Sequence, residues 1–181
     1  GQANASALSV GLDTASAGHK SGTATITLVS DGAGTSELGQ TGLGTQTVNV
    51  SGDVYRLASA SAHSPEPVVL ANARVGDLSS QTLSLTNTAA NDGFSERLSA
   101  SIGGQTAGIT AVGGFSLLGA GQTSADALRV GLDTSSAGHK SGTATISLLS
   151  DGTGTSGFGA LAIGTQTVNV SGDVYRLASA S

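Results

Sequence analysis

Three histidines, His19, His63 and His139, are the side chains in this sequence suited to exchanging protons near neutral pH. Two of them share one phrase, Ser-Ala-Gly-His-Lys-Ser-Gly, which occurs twice. With Asp13 and Asp133 upstream and serine abundant, a Ser/His/Asp acyl-transfer site could be drawn. That chemistry needs a serine presented on a strained strand-to-helix turn, and no Gly-x-Ser-x-Gly elbow occurs. The phrase is short, hydrophilic and set between alternating segments, so it predicts an exposed hairpin turn in which glycine supplies unusual backbone angles. A phosphate loop fails because His139 separates Gly138 from Lys140 and no helix-forming run follows. The phrases Ser30-Asp-Gly-Ala-Gly-Thr-Ser36 and Ser150-Asp-Gly-Thr-Gly-Thr-Ser156 resemble calcium loops. Each brings one carboxylate to a cation that takes six to eight oxygens, so backbone carbonyls or Asn91 and Asp92 elsewhere would have to add ligands. The expectation is therefore a non-enzymatic protein with no catalytic, cofactor-binding or metal-ligating residues and no cofactor.

The composition narrows the classes further. Of 181 residues, 28 are Gly, 26 Ala, 27 Ser and 21 Thr, so small residues make up more than half of the chain. Without cysteine there is no thiolate nucleophile, disulfide framework or Cys-type metal site. Seven basic against twelve acidic residues leave a net charge of −5, the wrong footprint for neutralising phosphates, so nucleic acid is not an expected partner. No apolar run approaches the roughly 20 residues of a membrane-spanning helix. No membrane partner is expected within this segment. The first residue is Gly1, with no signal-like stretch behind it, which suggests a mature product or an excised segment.

The organisation lies in a repeat. Residues 1–61 align with residues 121–181 at a constant offset of 120, without gaps, and only 14 of the 61 pairs differ. Six of the differences fall in Glu37–Leu43 against Gly157–Ile163. A period of 120 exceeds any solenoid unit and matches one compact domain. The reading is half a repeat at 1–61 followed by a complete repeat at 62–181. Within it the hydrophobic period is two: Leu128, Val130 and Leu132 alternate with smaller or polar residues, as do Ala144, Ile146 and Leu148, then Val168 and Val170. Leu83, Leu85, Leu98 and Ile102 complete the expected core. Pro67 opens a short segment, Val68 to Leu70, that belongs at a sheet edge. Glycine-rich breakers separate these runs and no helical periodicity is sustained. The expected fold is all-β, an antiparallel sandwich repeated in tandem.

Several phrases carry a resemblance: Phe115-Ser-Leu-Leu-Gly-Ala-Gly121, Leu128-Arg-Val-Gly-Leu-Asp-Thr134, Ala137-Gly-His-Lys-Ser-Gly-Thr-Ala-Thr-Ile146, Val168-Asn-Val-Ser-Gly-Asp-Val-Tyr175 and the strand-ending Leu83-Ser-Leu-Thr-Asn87. Together they resemble the bacterial choice-of-anchor D domains, relatives of the Hydin-like immunoglobulin-type sandwiches. The chain departs from the common pattern in placing Thr, not Pro, after Asp13 and Asp133. The resemblance implies about seven strands per domain in a long, secreted, repetitive surface protein, and it implies no catalytic residue.

From repeat and resemblance together we expect a structural or adhesive segment of a bacterial extracellular surface protein or filament, at the cell surface. It would act as a semi-rigid rod or polymer subunit whose partners are other copies of itself, joined in tandem or by strand complementation. The alternative is a carbohydrate- or protein-binding module with specificity in loops 37–43 and 157–163. The continuous run from Thr45 to Ala58 places Val48, Val50, Val54 and Tyr55, with their copies Val168, Val170, Val174 and Tyr175, as candidate interface residues between units. Residues 1–61 would be half a sandwich with an open apolar face, completed by a longer chain or by a neighbouring copy.

Overall fold

The structure is a computed structural model that describes residues 2–4 and 6–179. It contains ten strands and, among the described residues, no helix. Two compact units divide it, Gly1–Val54 and Tyr55–Ser181, the boundary falling just before Tyr55 rather than after Ser61.

The second unit contains β3 (Val68–Val69), β4 (Ala73–Arg74), β5 (Ser80–Thr86), β6 (Arg97–Gly103), β7 (Ile109–Leu118), β8 (Thr123–Leu132), β9 (Gly138–Asp151) and β10 (Leu161–Tyr175). Hydrogen bonding follows the path β3-β10-β9-β6-β7-β8-β5, with β4 paired further along β10. One strand belongs to both layers. The first half of β7 pairs with β8, from Ile109↔Leu132 to Gly113↔Leu128, and its second half pairs with β6, from Ser101↔Gly114 to Leu98↔Leu118. The switch sits on Gly113-Gly114. Gly113 has φ +115°, and a Cβ there would run into the Ala127 carbonyl oxygen, while a Cβ on Gly114 would lie 2.8 Å from that of Ala100. Only glycine turns the strand so sharply against two neighbouring backbones.

The layers close on one core. Leu83, Leu85, Ile109, Leu128, Val130 and Leu132 come from β5, β7 and β8, and meet Leu98, Ile102, Ala144, Ile146, Leu148, Val168, Val170 and Val174 from β6, β9 and β10. Every core residue expected from the alternation is buried. Each large side chain so placed is worth about 1.5–3 kcal/mol relative to exposure. At β6 the alternation breaks: Leu98, Ser99 and Ala100 are all buried. A register shift against β7 leaves the Leu117 N–H to the Ser99 hydroxyl at 3.0 Å, which satisfies both groups.

One local expectation is corrected. The Gly-His-Lys-Ser-Gly phrase is strand, since Gly138–Gly142 begins β9 and pairs with β10 from Gly138↔Val174 to Gly142↔Val170. The turn precedes it, held by Asp133 Oδ1, which accepts from the Ser135 N–H at 3.0 Å. The glycines look like breakers, yet the facing Val-Ser-Gly-Asp-Val offers a complete row of backbone partners. Val68, next to Pro67, does take a sheet edge, pairing parallel with Val170.

In the first unit β1 (Gly18–Ser30) and β2 (Thr41–Val54) form a hairpin whose register, Gly18↔Val54 to Ser30↔Thr41, repeats that of β9 with β10, bulge included.

Candidate functional site

The positions with most interlocked chemistry lie in the second unit, where residues 55–96 are sewn onto β9 and β10. The segment after Tyr55 makes only isolated bridges, Arg56↔Ser95, Ala60↔Asn87 and Ser64↔Ser84. Its remaining polar groups therefore need side-chain partners. Ser150, fully buried on β9, accepts from the Ala58 N–H at 2.8 Å and donates to Glu96 Oε2 at 2.6 Å. The Ser156 hydroxyl donates to the other oxygen, Oε1, at 2.5 Å, so the buried Glu96 carboxyl is held at both ends. Asn87 directly follows β5 and is fully buried. Its Oδ1 accepts from Ser59 and Ala89, and its Nδ2 donates to the carbonyls of Glu96 and Leu118.

A second cluster closes the other end of the seam. Gln166 Oε1 faces both the His63 N–H, at 2.9 Å, and His63 Nδ1, at 2.8 Å, while Gln166 Nε2 donates to the Ser61 carbonyl. His63 Nε2 lies 2.7 Å from Glu66 Oε2, and Asn169 donates to Glu66 from its side chain at 2.5 Å and from its backbone. Partial burial works to raise the Glu66 pKa, but hydrogen bonds from His63 and Asn169 outweigh it and hold the carboxyl below its ordinary value. Among the described residues no buried side-chain nitrogen or oxygen is left without a partner. These polar groups are saturated by one another, so the cluster fastens chain to chain.

The sequence candidates are placed as follows. His139 and His19 are exposed and pair through Nδ1 with Asp173 and Asp53, at 2.8 and 2.7 Å, and not with Asp133 or Asp13. Asp151 and Asp31 fold back on their own turns: hydrogen bonding from Thr153 lowers the pKa of one, and from Ala33 and Gln40 that of the other. Among the described residues no three His, Asp or Glu side chains gather as a metal site would require. Asp92 is engaged by Arg56, whose Nη1 reaches both oxygens at 2.7 and 2.8 Å.

Of the candidate interface residues, Val168, Val170 and Val174 are core of the second unit, their side chains spent inside the sandwich. Their counterparts Val48, Val50 and Val54 are half-buried. Tyr55 packs on Phe94 with ring centroids 5.7 Å apart, and Tyr175 is exposed. The windows 37–43 and 157–163 present Leu38, Leu43, Phe158 and Leu161 to solvent. Sequence reasoning did not single out Glu96, Glu66 and Gln166, and it met His63 only as a titratable side chain and Ser150 only in a calcium-like phrase. The repeat carries a signal for one of them: Ser30 is unchanged as Ser150 beside the drifting Val29, whereas Gln46 and Asn49 lie in residues 44–61, all of which recur unchanged.

No known family profile matches the chain, and no curated protein does. Among solved structures it is similar to the ASH/PapD-like domain of human CEP192, PapD-like domain 7, at 8% identity and a TM-score of 0.49, over 67% of this chain and 89% of that one. The sandwich is thus described by its own strand pairing and core.

Proposed function

We propose that this chain is a non-enzymatic structural segment of a repetitive bacterial surface protein or filament, in which sandwich units follow one another as a semi-rigid rod. The all-β immunoglobulin-like sandwich is the scaffold of a structural or binding module. The observation that carries the finer reading is the 120-residue repeat with 14 differences in 61 pairs, since a chain that lengthens by copying a whole domain gains reach rather than a new reaction. Outward-facing Thr and Ser on the long strands and saturated polar clusters support it. Electron microscopy of the native material is the test. Fibres or extended rods with a regular axial repeat are expected; compact particles without one would overturn the reading.

A second reading is favoured by one observation, the exposed Leu38, Leu43, Phe158 and Leu161 in the windows where the copies diverge. In it these tips are contact surfaces for a protein or glycan ligand. Binding to an extracellular-matrix and glycan panel that is lost when Phe158 and Leu161 are replaced by Ser would establish it.

A further inference from the structure

The chain contains two near-identical copies of one half-repeat and a single copy of the other half. In the second unit, residues 55–120 cover the copy at 121–175, and the cover is specific. It seats apolar residues against Leu128, Val130, Leu132, Ile146, Leu148, Val168 and Val170. It also places Ala58 and Glu96 on Ser150, Glu96 on Ser156, His63 on Gln166 and Glu66 on Asn169. Every acceptor position recurs in the first unit, 120 residues earlier. Leu8, Val10, Leu12, Ile26, Leu28, Val48 and Val50 repeat the apolar set without a change, and Ser30, Ser36, Gln46 and Asn49 repeat the polar one.

Among the described residues of the first unit, those groups have no comparable cover. Leu8 is 71% and Val10 47% exposed, where Leu128 and Val130 are 0% and 1%. Residues 8–12 form no strand, although the matching Leu128–Leu132 stretch is the end of β8, because β8 is held by ladders to β5 and β7 and both belong to the covering half. A contact of the covered copy is kept: Leu12 lies over Gly52 as Leu132 lies over Gly172, the position of a Cβ being 2.7 and 2.8 Å from the leucine Cδ1. The hairpin β1-β2 is therefore already in the conformation that its copy has under cover.

We infer that the β1-β2 face is a docking surface for a further half-repeat with the chemistry of residues 55–120, its Glu96 counterpart bridging Ser30 and Ser36 and its His63 and Glu66 counterparts engaging Gln46 and Asn49. A second copy of this 181-residue chain cannot fill the role without loss. Each copy carries two acceptor halves and one donor half, so exchange between copies uncovers one face for each it covers. The occupant is a donor half beyond the one within these residues. This inference rests on the repeat and the site geometry, and holds wherever the protein works.

The test compares the 181-residue chain with a version in which residues 55–120 are duplicated ahead of Gly1, by peptide-resolved hydrogen exchange and light scattering. In the 181-residue chain, amides of residues 8–12 and 23–29 should exchange at least roughly a hundredfold faster than those of 128–132 and 143–149; in the extended chain the two sets should agree within about threefold. Gln46→Ala should leave the melting of the shorter chain unchanged and lower that of the extended one. Equal protection of the two copies in a monomeric 181-residue chain would overturn the inference, as would a dimer that protects residues 8–29 by itself, since a second copy would then be the occupant. An extended chain that leaves residues 8–29 as fast as before, with 121–175 still protected as proof of folding, would also overturn it. The shorter chain's exchange pattern decides the matter independently if the extension disturbs folding.

Discussion

Gly11 to Ser36 and Gly131 to Ser156 differ at only four positions, Ala15, Thr27, Val29 and Ala33, yet they are different objects. In the second unit Ile146 and Leu148 are buried, Leu132 ends a ten-residue strand and Ser150 is fully enclosed. In the first, Ile26 and Leu28 are half-exposed, Leu12 lies in no strand and Ser30 is open to solvent. Local propensity and alternation are equal, so neither can be the cause. What differs is whether a ladder partner and a facing layer exist. A hairpin can be dictated by its own sequence and turn, as β1-β2 and β9-β10 both show, whereas the lone edge segment becomes a strand only when β5 and β7 flank it.

The comparison can be broken most forcefully in the core. Ile146→Ala should cost on the order of 2–5 kcal/mol by calorimetry or denaturant titration, and Ile26→Ala well under half of that, because a side chain still partly hydrated leaves little cavity. Equal costs would mean that the first unit is covered after all. Next comes the buried carboxyl: Ser150→Ala strips the Ala58 N–H and Glu96 of a partner and should cost about 1–3 kcal/mol, while Ser30→Ala should be near neutral.

Acid sharpens the contrast in a different way. Glu66 has its pKa lowered in the folded state, so the stability it contributes is present above the ordinary value of 4.5 and is lost as pH falls from there through the lower folded value. Melting of the second unit, followed from pH 7 down to about pH 3, should therefore drop through that window, and Glu66→Gln should flatten the drop. The first unit, with Asn49 facing no such carboxylate among the described residues, should not share it. The smallest effect concerns the variable window. Gly157 stands at φ +78° with open space where a Cβ would go, and its counterpart Glu37 is held at φ +59°. Gly157→Glu should cost about 1 kcal/mol through the backbone alone, and Glu37→Gly should relieve a similar amount, read as shifts in denaturant midpoint.

The β periods, the core of the second unit and the edge position of Val68 were legible because burial on one face writes itself into alternation. The seam was not. Glu96 reads as a surface charge until Ser150 and Ser156, more than fifty residues away, are seen to close on it. Asn87 could be seen to end a strand, but not to hold four backbone groups. The histidine phrase was misread because glycine signals a break by propensity, whereas pairing to β10 supplies the ladder that overrides it. A glycine pair such as Gly113-Gly114 reads in sequence as a break between strands and is a corner within one, since the number of layers a strand serves has no period of its own.

The parallel pairing of β3 and β4 with β10 has a mechanical consequence. Val68, near one end of the second unit, and Val170 to Tyr175, at its other end, run in the same direction side by side, joined by the Leu70 N–H to Ser171 and the Val75 N–H to Tyr175. Tension applied through the chain ends pulls these neighbours in opposite senses along their length, so their hydrogen bonds are loaded together in shear instead of being peeled one by one. The unit resists traction best along the line in which an array would transmit it.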